Sequence, residues 1–400
     1  MKKIIFVDEE NVVNYSGGAE KIMCQMANAL ALRGYGVGIV CMNRTKGVPF
    51  FPLEDAVKFI NLCYDFGEPP GILMWMWKKL QREVLRGLGG REMKIGGRKY
   101  QDPKKAYWSG IFIRRLAMCL QAEAPDIIVA VSAYGAHLTQ KTLREISVDT
   151  PIITMCHGDP RYVCRGLAEE EWEAWRKSRY VQVLLPSFTA ALERHNINHT
   201  VVIPNPIEQY PESAMADLTH THYKIVTAGR LEGIGKRQHL LIEAFISVAE
   251  KFPRWTLWIY GEADNVRYTR KLRRMIAKHG LEERIFLPGR VTDLPQVMRE
   301  TDIFAFPSVQ EGFGLAVCEA MSLGLPVAAY RECYPTGEII INEENGLLAE
   351  SGVTGLADCL TRLMSDKNLR QKLGKAAHLS MAAFAPNLIW DKWEKLLENV

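Results

Sequence analysis

The chain has 400 residues, of which 48% are hydrophobic and 24% charged, with 31 glycines and 19 prolines. This composition excludes disordered, collagen-like and low-complexity proteins, and the length exceeds one compact core, so two or three domains are expected. The formal net charge is only +4, from 50 basic and 46 acidic residues, which does not favour nucleic-acid binding. The nine cysteines form no C-x-x-C pair, so free buried thiols in a reducing cytoplasm are predicted.

The first apolar run is short, because residues 4–7 are followed at once by the acidic residues Asp8 and Glu9. Such a run is shorter than the apolar segment of a signal peptide. No stretch of the sequence reaches the roughly 18–20 uncharged apolar residues that a membrane-spanning helix needs. A soluble, cytoplasmic protein is therefore predicted.

Short β-branched segments alternate with helical patterns along the chain. The first series of predicted strands lies at residues 4–7, 38–40, 126–130, 151–154 and 182–185, and the second at 224–227, 256–260, 284–287, 303–306 and 326–329. Apolar residues recur at helical spacing in segments 18–33, 238–252, 265–280 and 314–324. Continuous apolar strands separated by helices indicate parallel sheets covered on both faces. The two series predict an α/β protein with two doubly wound, Rossmann-like domains facing each other across a cleft.

A glycine pair, Gly17-Gly18, follows the first strand and opens a predicted helix. Glycines let a backbone approach a ligand closely, and amides at a helix start favour anions. The pair does not form a G-x-G-x-x-G dinucleotide fingerprint, and the sequence has no Walker G-K-[ST] motif. An anion-binding loop and a plain tight turn both fit the pair.

Residues 78–115 differ from the rest of the chain, with twelve lysines or arginines against three acidic residues. The local charge is +9, so the other residues sum to −5. An apolar run that contains Trp75 and Trp77 comes just before this segment. Aromatic and cationic side chains together suit an anionic membrane interface, which is one interpretation of residues 72–115. The alternative is a solvated helical face whose apolar side lies in the core.

The two strand series meet at Pro204-Asn205-Pro206 and a polar stretch that ends near Tyr223. Directly after the first strand of the second series stands Gly229-Arg230, and Lys236 follows six residues after the arginine. Two cations on a glycine-containing loop at the end of a strand suit a pyrophosphate, the arginine as a fork and the lysine as a point charge. Ordinary surface cations are the alternative.

The most informative pattern joins a glycine-rich turn to the start of a predicted helix. Backbone amides of Phe313, Gly314 and Leu315 would point at an anion there. Two carboxylates, Glu311 in the turn and Glu319 in the helix, flank these amides. A carboxylate beside a phosphate is costly unless it binds hydroxyls or a cation. A sugar nucleotide accounts for both the amides and the carboxylates.

These motifs resemble those of the retaining glycosyltransferases of family 4, which are two-domain enzymes with the GT-B fold. The seven-residue spacing between Glu311 and Glu319 is the most specific part of the resemblance. Further family motifs occur in family order over nearly the whole chain: Arg33-Gly34-Tyr35-Gly36-Val37, Val202-Ile203-Pro204-Asn205, Gly289, Asp302, Pro307-Ser308 and Asn345-Gly346-Leu347.

The resemblance implies a domain plan. An acceptor-binding domain is expected at residues 1–205 and a donor-binding domain at residues 206–384. The C-terminal helix, residues 385–400, is expected to pack back on the first domain. The apolar spacing by itself predicts a core-facing helix from Trp390 onward.

The resemblance also implies roles for the residues of the donor site. Arg230 and Lys236 would bind the donor diphosphate, and Glu319 would bind the ribose hydroxyls. Glu311 would hold the donor sugar and its phosphate together with the amides of Phe313, Gly314 and Leu315. Gly289, Arg290 and Val291 would lie near the base, which this fold recognises largely through backbone groups.

Residues of the N-terminal half are implied as well. Gly17 and Gly18 would approach the donor diphosphate, and His157 matches the family's active-site histidine beside the donor sugar. Without the resemblance, His157 is interpreted as a core histidine. Retention in this class is attributed to front-face attack, so Glu311 would position or stabilise rather than act as a nucleophile. The sequence has no Asp-x-Asp motif, and we expect a UDP- or GDP-linked donor with no metal or other cofactor.

The sequence departs from the family pattern at four places. Pro206 follows Asn205 where the family has Gly, and Tyr334-Pro335-Thr336-Gly337-Glu338 replaces the commoner Gly-Gly before the acid. Lys236 is followed by Arg237 where the family usually has Gly or Asn, which predicts an extra cation near the phosphates. After Tyr260, the segment Gly261-Glu262-Ala263 keeps only one glycine of the family's pair.

The resemblance and the basic segment together predict the acceptor. We expect a cytoplasmic hexosyltransferase at the inner face of the membrane that acts on a lipid-linked or envelope glycan, such as lipopolysaccharide or capsule. An anionic membrane is an expected partner through residues 72–115, and no nucleic acid is expected. Two alternatives remain open: a sugar-nucleotide epimerase or phosphorylase on the same fold, and a non-catalytic nucleotide-sugar-binding protein.

Overall fold

A computed structural model describes residues 2–9, 12–69, 71–90, 93–95, 98–99, 102–216, 222–263 and 265–400. The chain divides into two compact units, and each is described by itself. Unit 1 comprises Met1–Val202 with Lys392–Val400, and unit 2 comprises Ile203–Asp391. The polar stretch predicted near the boundary includes residues 217–221, which lie outside the described residues.

Unit 1 contains a seven-stranded parallel sheet with the order β3-β2-β1-β6-β7-β8-β9. Its strands are β1 (Lys3–Asp8), β2 (Gly36–Cys41), β3 (Val57–Asn61), β6 (Ile127–Ala130), β7 (Ile152–Cys156), β8 (Tyr180–Val183) and β9 (Thr200–Val202). A separate antiparallel pair is formed by β4 (Lys94–Ile95) and β5 (Arg98–Lys99). The strand order reverses between β1 and β6, which is the doubly wound arrangement that the first strand series predicts.

Helices connect the strands of unit 1. They are α1 (Gly18–Leu32), α2 (Ile72–Gly89), α3 (Pro103–Glu123), α4 (Ala133–Ile146), α5 (Pro160–Val163), α6 (Glu169–Lys177) and α7 (Pro186–Glu193). The sequence predicted the central strands but not β3 and β9. Both are edge strands: β3 carries an exposed lysine, Lys58, and β9 has only three half-buried residues. A strand with one solvated face lacks the continuous apolar run of a buried parallel strand.

Unit 2 contains a six-stranded parallel sheet with the order β12-β11-β10-β13-β14-β15. Its strands are β10 (Tyr223–Ala228), β11 (Trp255–Tyr260), β12 (Ile285–Gly289), β13 (Ile303–Phe306), β14 (Val327–Tyr330) and β15 (Leu347–Ala349). The order reverses between β10 and β13, again as expected for a doubly wound sheet. All five strands of the second predicted series are present, and β15 is added at the edge.

The helices of unit 2 cover its sheet. They are α8 (Gln238–Ala249), α9 (Val266–Lys278), α10 (Leu294–Arg299), α11 (Leu315–Ser322), α12 (Tyr334–Ile339), α13 (Val353–Ser365) and α14 (Lys367–Ser380). The core of this unit packs α8 and α13 against the sheet through residues such as Phe245, Leu257 and Leu360. The four helices predicted from apolar spacing are observed within a few residues of their predicted bounds.

The last helix, α15 (Pro386–Glu398), begins in unit 2 and ends in unit 1. Its apolar residues from Ile389 onward, Trp390 and Trp393 among them, are buried as the core-facing pattern predicted, while Leu388 is 51% exposed. Two contacts within unit 1 involve its end. The Lys2 ammonium donates to the Leu397 carbonyl oxygen at 2.8 Å, and Arg33 pairs with Glu394 at 3.4 Å.

The segment 72–115 forms α2, the β4-β5 pair and the first part of α3, while residues 91–92, 96–97 and 100–101 lie outside the described residues. Helix α2 does not direct its apolar side into the core. Its exposed apolar residues are Ile72, Leu73, Met74, Met76, Trp77, Leu80, Val84 and Leu88. Trp77 is 54% exposed and Leu73 80%. For α2, the alternative of a solvated face with its apolar side buried is therefore wrong. No helix among the described residues is long and apolar enough to cross a membrane.

Candidate active site

The candidate site lies at the carboxyl edge of the unit 2 sheet, where the strand order reverses between β10 and β13. Open α/β sheets bind ligands at this point, because the loops after the two strands leave the sheet toward opposite faces and open a crevice. Three loops lie there: residues 229–237 after β10, 307–314 after β13 and 331–333 after β14. The Val309 amide donates to the Gly235 carbonyl oxygen at 2.8 Å and joins the first two loops.

One carboxylate and one buried amide shape the loop after β10. Glu232 Oε1 accepts hydrogen bonds from the amides of Gly235 at 2.9 Å and Lys236 at 3.0 Å. Gln238, buried at the start of α8, donates from Nε2 to the Arg230 carbonyl oxygen at 2.8 Å. Sequence analysis missed Glu232 and Gln238. The available signal was a polar residue, Gln238, at the start of a mostly apolar helix.

Lys236 and Glu311 form an ion pair between two of the loops, with 2.5 Å between Nζ and Oε1. The lysine side chain is 21% exposed and the glutamate 12%, so solvent screens this pair less than a surface pair. The lysine stem passes over Gly229, where an added Cβ would lie 3.6 Å from Cδ and Cε. The structure thus brings two predicted site residues into direct contact.

Arg230 differs from Lys236 because its side chain is exposed to solvent. Within the part of the chain that the structure describes, its guanidinium has no acidic partner. Its backbone, in contrast, is held by Gln238, and the next residue, Leu231, is buried. A guanidinium on a fixed backbone at this edge favours an anion that offers two oxygens.

Gly314 precedes α11 with φ +83°, the left-handed region that favours glycine. The Val317 amide donates to the Gly314 carbonyl oxygen at 2.9 Å. The two amides before it, those of Leu315 and Ala316, have no acceptor within the helix. This helix start can therefore donate hydrogen bonds to an anion, as the sequence predicted.

The other residues of the predicted turn lie close to this helix start. Phe313 is buried and packs edge-to-face against Phe384, with 5.4 Å between the ring centroids. Glu319 is the fifth residue of α11 and is partly buried. Glu311 and Glu319 thus lie on either side of the helix start, one in the loop and one in the helix.

Gly289, Arg290 and Val291 stand at the end of β12, at the same edge of the sheet. The Gly261 amide after β11 donates to the Gly289 carbonyl oxygen at 2.9 Å. Because the order is β12-β11-β10, these residues lie two strands away from the loop that carries Arg230.

The remaining predicted site residues lie in unit 1. Gly17 is the N-cap of α1 and Gly18 its first residue, in the loop that follows β1. His157 follows β7, and its buried Nε2 has no hydrogen-bond partner among the described residues. Burial lowers the pKa of His157 to about 4, so the imidazole is neutral near pH 7.

Arg237 does not add a free cation near the predicted phosphate site. Its Nη1 pairs with Glu332 Oε1 at 2.7 Å, in the loop after β14. Its backbone is left-handed, with φ +50°. Gly and Asn adopt this conformation more readily than other residues, which gives a physical reason for the family preference at this position.

The groups at the carboxyl edge of the unit 2 sheet are suited to bind a phosphorylated sugar. Guanidinium, ammonium and helix-start amide groups can bind a diphosphate, and two carboxylates can accept hydrogen bonds from sugar hydroxyls. Within the described ranges, no group of three or more His, Cys, Asp or Glu residues is placed to hold a metal ion.

Two family models match the chain. The model described as Glycosyltransferase Family 4 matches residues 16–209, and the model described as Glycosyl transferases group 1 matches residues 213–379. Together they leave only the two ends and residues 210–212 unmatched.

Individual proteins are similar to the chain over different lengths. An uncharacterized glycosyltransferase of Haemophilus influenzae is 23% identical over 408 residues, which cover 99% of this chain and 100% of that protein. The lipopolysaccharide core biosynthesis mannosyltransferase LpsB of Rhizobium meliloti is 30% identical over 157 residues, 38% of this chain and 44% of that protein. The chain therefore spans less than half of the mannosyltransferase.

The crystal structure of Anabaena HepE in complex with UDP and glucose superposes with a TM-score of 0.72 at 18% identity, over 100% of both chains. At this level of identity the likeness shows the fold alone. That fold is GT-B, and the predicted fold class is confirmed.

Proposed function

Because the chain belongs to the glycosyltransferases of group 1 and family 4, we propose that it transfers a hexose from a UDP- or GDP-linked donor with retention of the anomeric configuration. The observation that carries this proposal is the contact between Lys236 and Glu311 at the strand-order reversal of unit 2, with Arg230 exposed on the same loop. A cationic loop beside a carboxylate matches a donor that is anionic at its diphosphate and rich in hydroxyls at its sugar.

In the proposed complex, Arg230 and Lys236 bind the donor diphosphate. Lys236 is neutralised by Glu311 in the described structure, so diphosphate binding replaces part of that contact. The Glu311 carboxylate then accepts hydrogen bonds from sugar hydroxyls, and Glu319 accepts them from the ribose. Gly289, Arg290 and Val291 lie at the end of β12, and in the proposed complex the base lies near their backbone.

The amides of the helix start hold the phosphate nearest the sugar. Phe313, Gly314 and Leu315 supply this backbone, and the left-handed Gly314 is its N-cap residue. We propose that Gly17 and Gly18 also contact the diphosphate. Two observations support His157 as a sugar-binding residue: its buried Nε2 has no hydrogen-bond partner among the described residues, and its imidazole is neutral.

The proposed reaction breaks the bond between the anomeric carbon and the phosphate oxygen, and the bonding electrons leave with the nucleoside diphosphate. Arg230, Lys236 and the helix amides stabilise this developing negative charge. The acceptor hydroxyl attacks from the same face and gives its proton to the departing phosphate. We propose that this chemistry requires neither a protein nucleophile nor a metal ion.

Binding and turnover measurements test the proposal together. Nucleoside diphosphates and their sugars, presented one at a time, are expected to raise the melting temperature by a few degrees for the correct donor. Addition of a glycolipid acceptor is expected to release the nucleoside diphosphate. Binding without release would support a non-catalytic binder. Interconversion of donor sugars without release would support an epimerase, and phosphate-dependent glycan cleavage a phosphorylase.

We also propose that the acceptor is a lipid-linked or envelope glycan reached at the inner face of a membrane. The support is the apolar face of α2, which is exposed in the structure and lies next to the lysines and arginines of segment 72–115. Aromatic and aliphatic side chains with a basic rim bind anionic interfaces. Similarity to a lipopolysaccharide core mannosyltransferase supports the class of acceptor.

We expect polar substitutions of the exposed apolar residues of α2 to weaken binding to anionic vesicles. We expect the double variant Trp77→Ser and Leu80→Ser to bind phosphatidylglycerol-containing vesicles about 10- to 30-fold more weakly, because both side chains are about half exposed and lose their insertion energy. Co-sedimentation measures this. The matched control, Val266→Ser with Leu379→Ser, removes apolar side chains of similar exposure from unit 2. Equal binding by both double variants would contradict the proposal.

A further inference from the structure

A cluster of cations surrounds one aromatic ring at the carboxyl edge of the unit 1 sheet. We call Arg44, Trp75, Lys79 and Lys104 the Trp75 cluster. The Trp75 ring centroid lies 5.0 Å from the Arg44 guanidinium carbon, 5.5 Å from Lys79 Nζ and 5.0 Å from Lys104 Nζ. None of these residues belongs to the donor site proposed above.

Three separate elements build the cluster. Arg44 follows β2, Trp75 and Lys79 lie one turn apart on α2, and Lys104 is in the first turn of α3. Strand β2 ends at this edge of the sheet. Helix α3 begins there too, since its other end leads into β6. Carboxyl edges are where α/β sheets bind ligands.

Two acidic residues beside the cluster, one at the start of α3 and one on α2, are already engaged. The Asp102 carboxylate caps α3 and accepts from the amides of Lys104 at 2.9 Å and Lys105 at 3.1 Å. Glu83 pairs with Arg82 at 2.6 Å. Among the described residues, neither Lys79 nor Lys104 forms an ion pair.

The cations also act on one another. Burial, and then the charge of Arg82, lower the pKa of Lys104; the charge of Asp102 opposes this shift, and those of Lys79 and Arg44 add to it. Cation–π contacts with Trp75 attract each cation to the ring but do not neutralise its charge. An anion placed among these groups would relieve the repulsion and gain several charge-assisted hydrogen bonds.

We propose that the Trp75 cluster is a binding site for a phosphate-class group, separate from the donor diphosphate site. Its assignment to the acceptor side of the reaction rests on the proposed function. Two sources can supply this chemistry: a phosphoryl group carried by the acceptor, or the headgroup of an anionic lipid beneath α2. Two ammonium groups with no ion-pair partner among the described residues, those of Lys79 and Lys104, suit the several oxygens of a phosphate or pyrophosphate better than the two of a carboxylate.

The first arm of the test uses inorganic pyrophosphate on the full chain. Arg230→Ala and Lys236→Ala are introduced as a background to remove the cations of the donor site, and calorimetry measures the remaining binding. Adding Lys79→Gln and Lys104→Gln to this background is expected to weaken pyrophosphate binding about 10- to 100-fold. The matched control, Lys141→Gln with Lys251→Gln, removes the same charge elsewhere and is expected to change little. Melting curves verify that each variant is folded.

The second arm uses vesicles of phosphatidylcholine with and without phosphatidylglycerol. If Lys79→Gln and Lys104→Gln weaken pyrophosphate binding as expected, the site binds a phosphoryl group from solution, such as one carried by an acceptor. A second outcome is that pyrophosphate does not bind, while the variant loses binding to phosphatidylglycerol vesicles and the control retains it. The phosphate then belongs to a lipid headgroup. The proposal is overturned if neither probe distinguishes the variant from its control.

Failure of this inference is distinguishable from failure of the proposed function. A chain that binds no nucleotide sugar, yet binds pyrophosphate through Lys79 and Lys104, would keep the site and refute the transferase assignment. A chain that releases nucleoside diphosphate normally, but binds no phosphate at the Trp75 cluster, would support the transferase assignment and refute the phosphate site.

Discussion

Arg230→Ala is expected to lower kcat/KM for sugar transfer by about 100- to 1000-fold while leaving the melting temperature unchanged. The side chain is exposed and without an acidic partner in the described structure, so its removal costs no folding contact. Its positive charge would act on the departing diphosphate, where negative charge increases in the transition state. Initial rates of nucleoside diphosphate release, measured at several donor concentrations, give the change in kcat and KM separately.

The control for this prediction is Arg274→Ala on α9, which removes an exposed arginine from the same unit away from the loops of the site. It is expected to retain full activity. Lys236→Ala is a less clear test because it also leaves the partly buried Glu311 carboxylate without its cation. Full transfer activity in folded Arg230→Ala protein would show that the donor diphosphate does not bind this loop.

Gly261→Ala is expected to reduce the free energy of unfolding by about 3 kcal/mol or more. An added Cβ would come within 2.7 Å of the Gly229 carbonyl carbon and closer still to its oxygen. Both neighbours are backbone, which is held by hydrogen bonds from Gly229 to Tyr260 and from Gly261 to Gly289. The three atoms nearest to the added Cβ are all backbone atoms, so no flexible side chain can move aside to relieve the contact. Chemical denaturation with an unchanged m-value measures the loss.

The same substitution is expected to affect the donor site, because the loop that must shift carries Arg230. We expect weaker binding of the donor nucleotide in whatever fraction of the protein stays folded. The control is Gly280→Ala, at a left-handed glycine with φ +63° and no atom within 4 Å of an added Cβ. Its cost is limited to backbone conformation, about 1–2 kcal/mol. A similar loss in both variants would mean that the close approach at Gly261 has no separate role.

The preserved glycine explains one departure from the family pattern. Of the family's glycine pair after β11, the chain keeps Gly261, whose position allows no side chain beside Gly229. Glu262 follows it and contributes its carbonyl oxygen to the Leu231 amide at 2.9 Å. That bond uses only the backbone, so the second position tolerates a side chain.

The ion pairs of the site could not be predicted from the sequence. Lys236 and Glu311 were each predicted as ligand-binding residues, but their mutual contact joins positions 75 residues apart. The pairing of Arg237 with Glu332 spans 95 residues, and it changes the expected extra cation into a neutral pair. Charge balance between loops depends on which strands are neighbours, and no local pattern encodes that.

The sequence by itself determined the two strand series, the order of helices between them and the loops that carry the site. These features follow from local physics: buried parallel strands require apolar runs, and phosphate loops require glycine and cations at strand ends. The chemical types at Arg230, Lys236, Glu311 and Glu319 were likewise visible from composition and spacing.

Only the tertiary structure decided what those side chains contact and which surfaces stay open. The edge strands β3 and β9 became recognisable once their neighbours supplied hydrogen bonds. The amphipathic pattern of α2 was compatible with burial, and the fold leaves its apolar side exposed, with Trp75 among three cations from separate elements. Burial and charge neutralisation are set by groups distant along the chain, so they arise only when the whole domain is assembled.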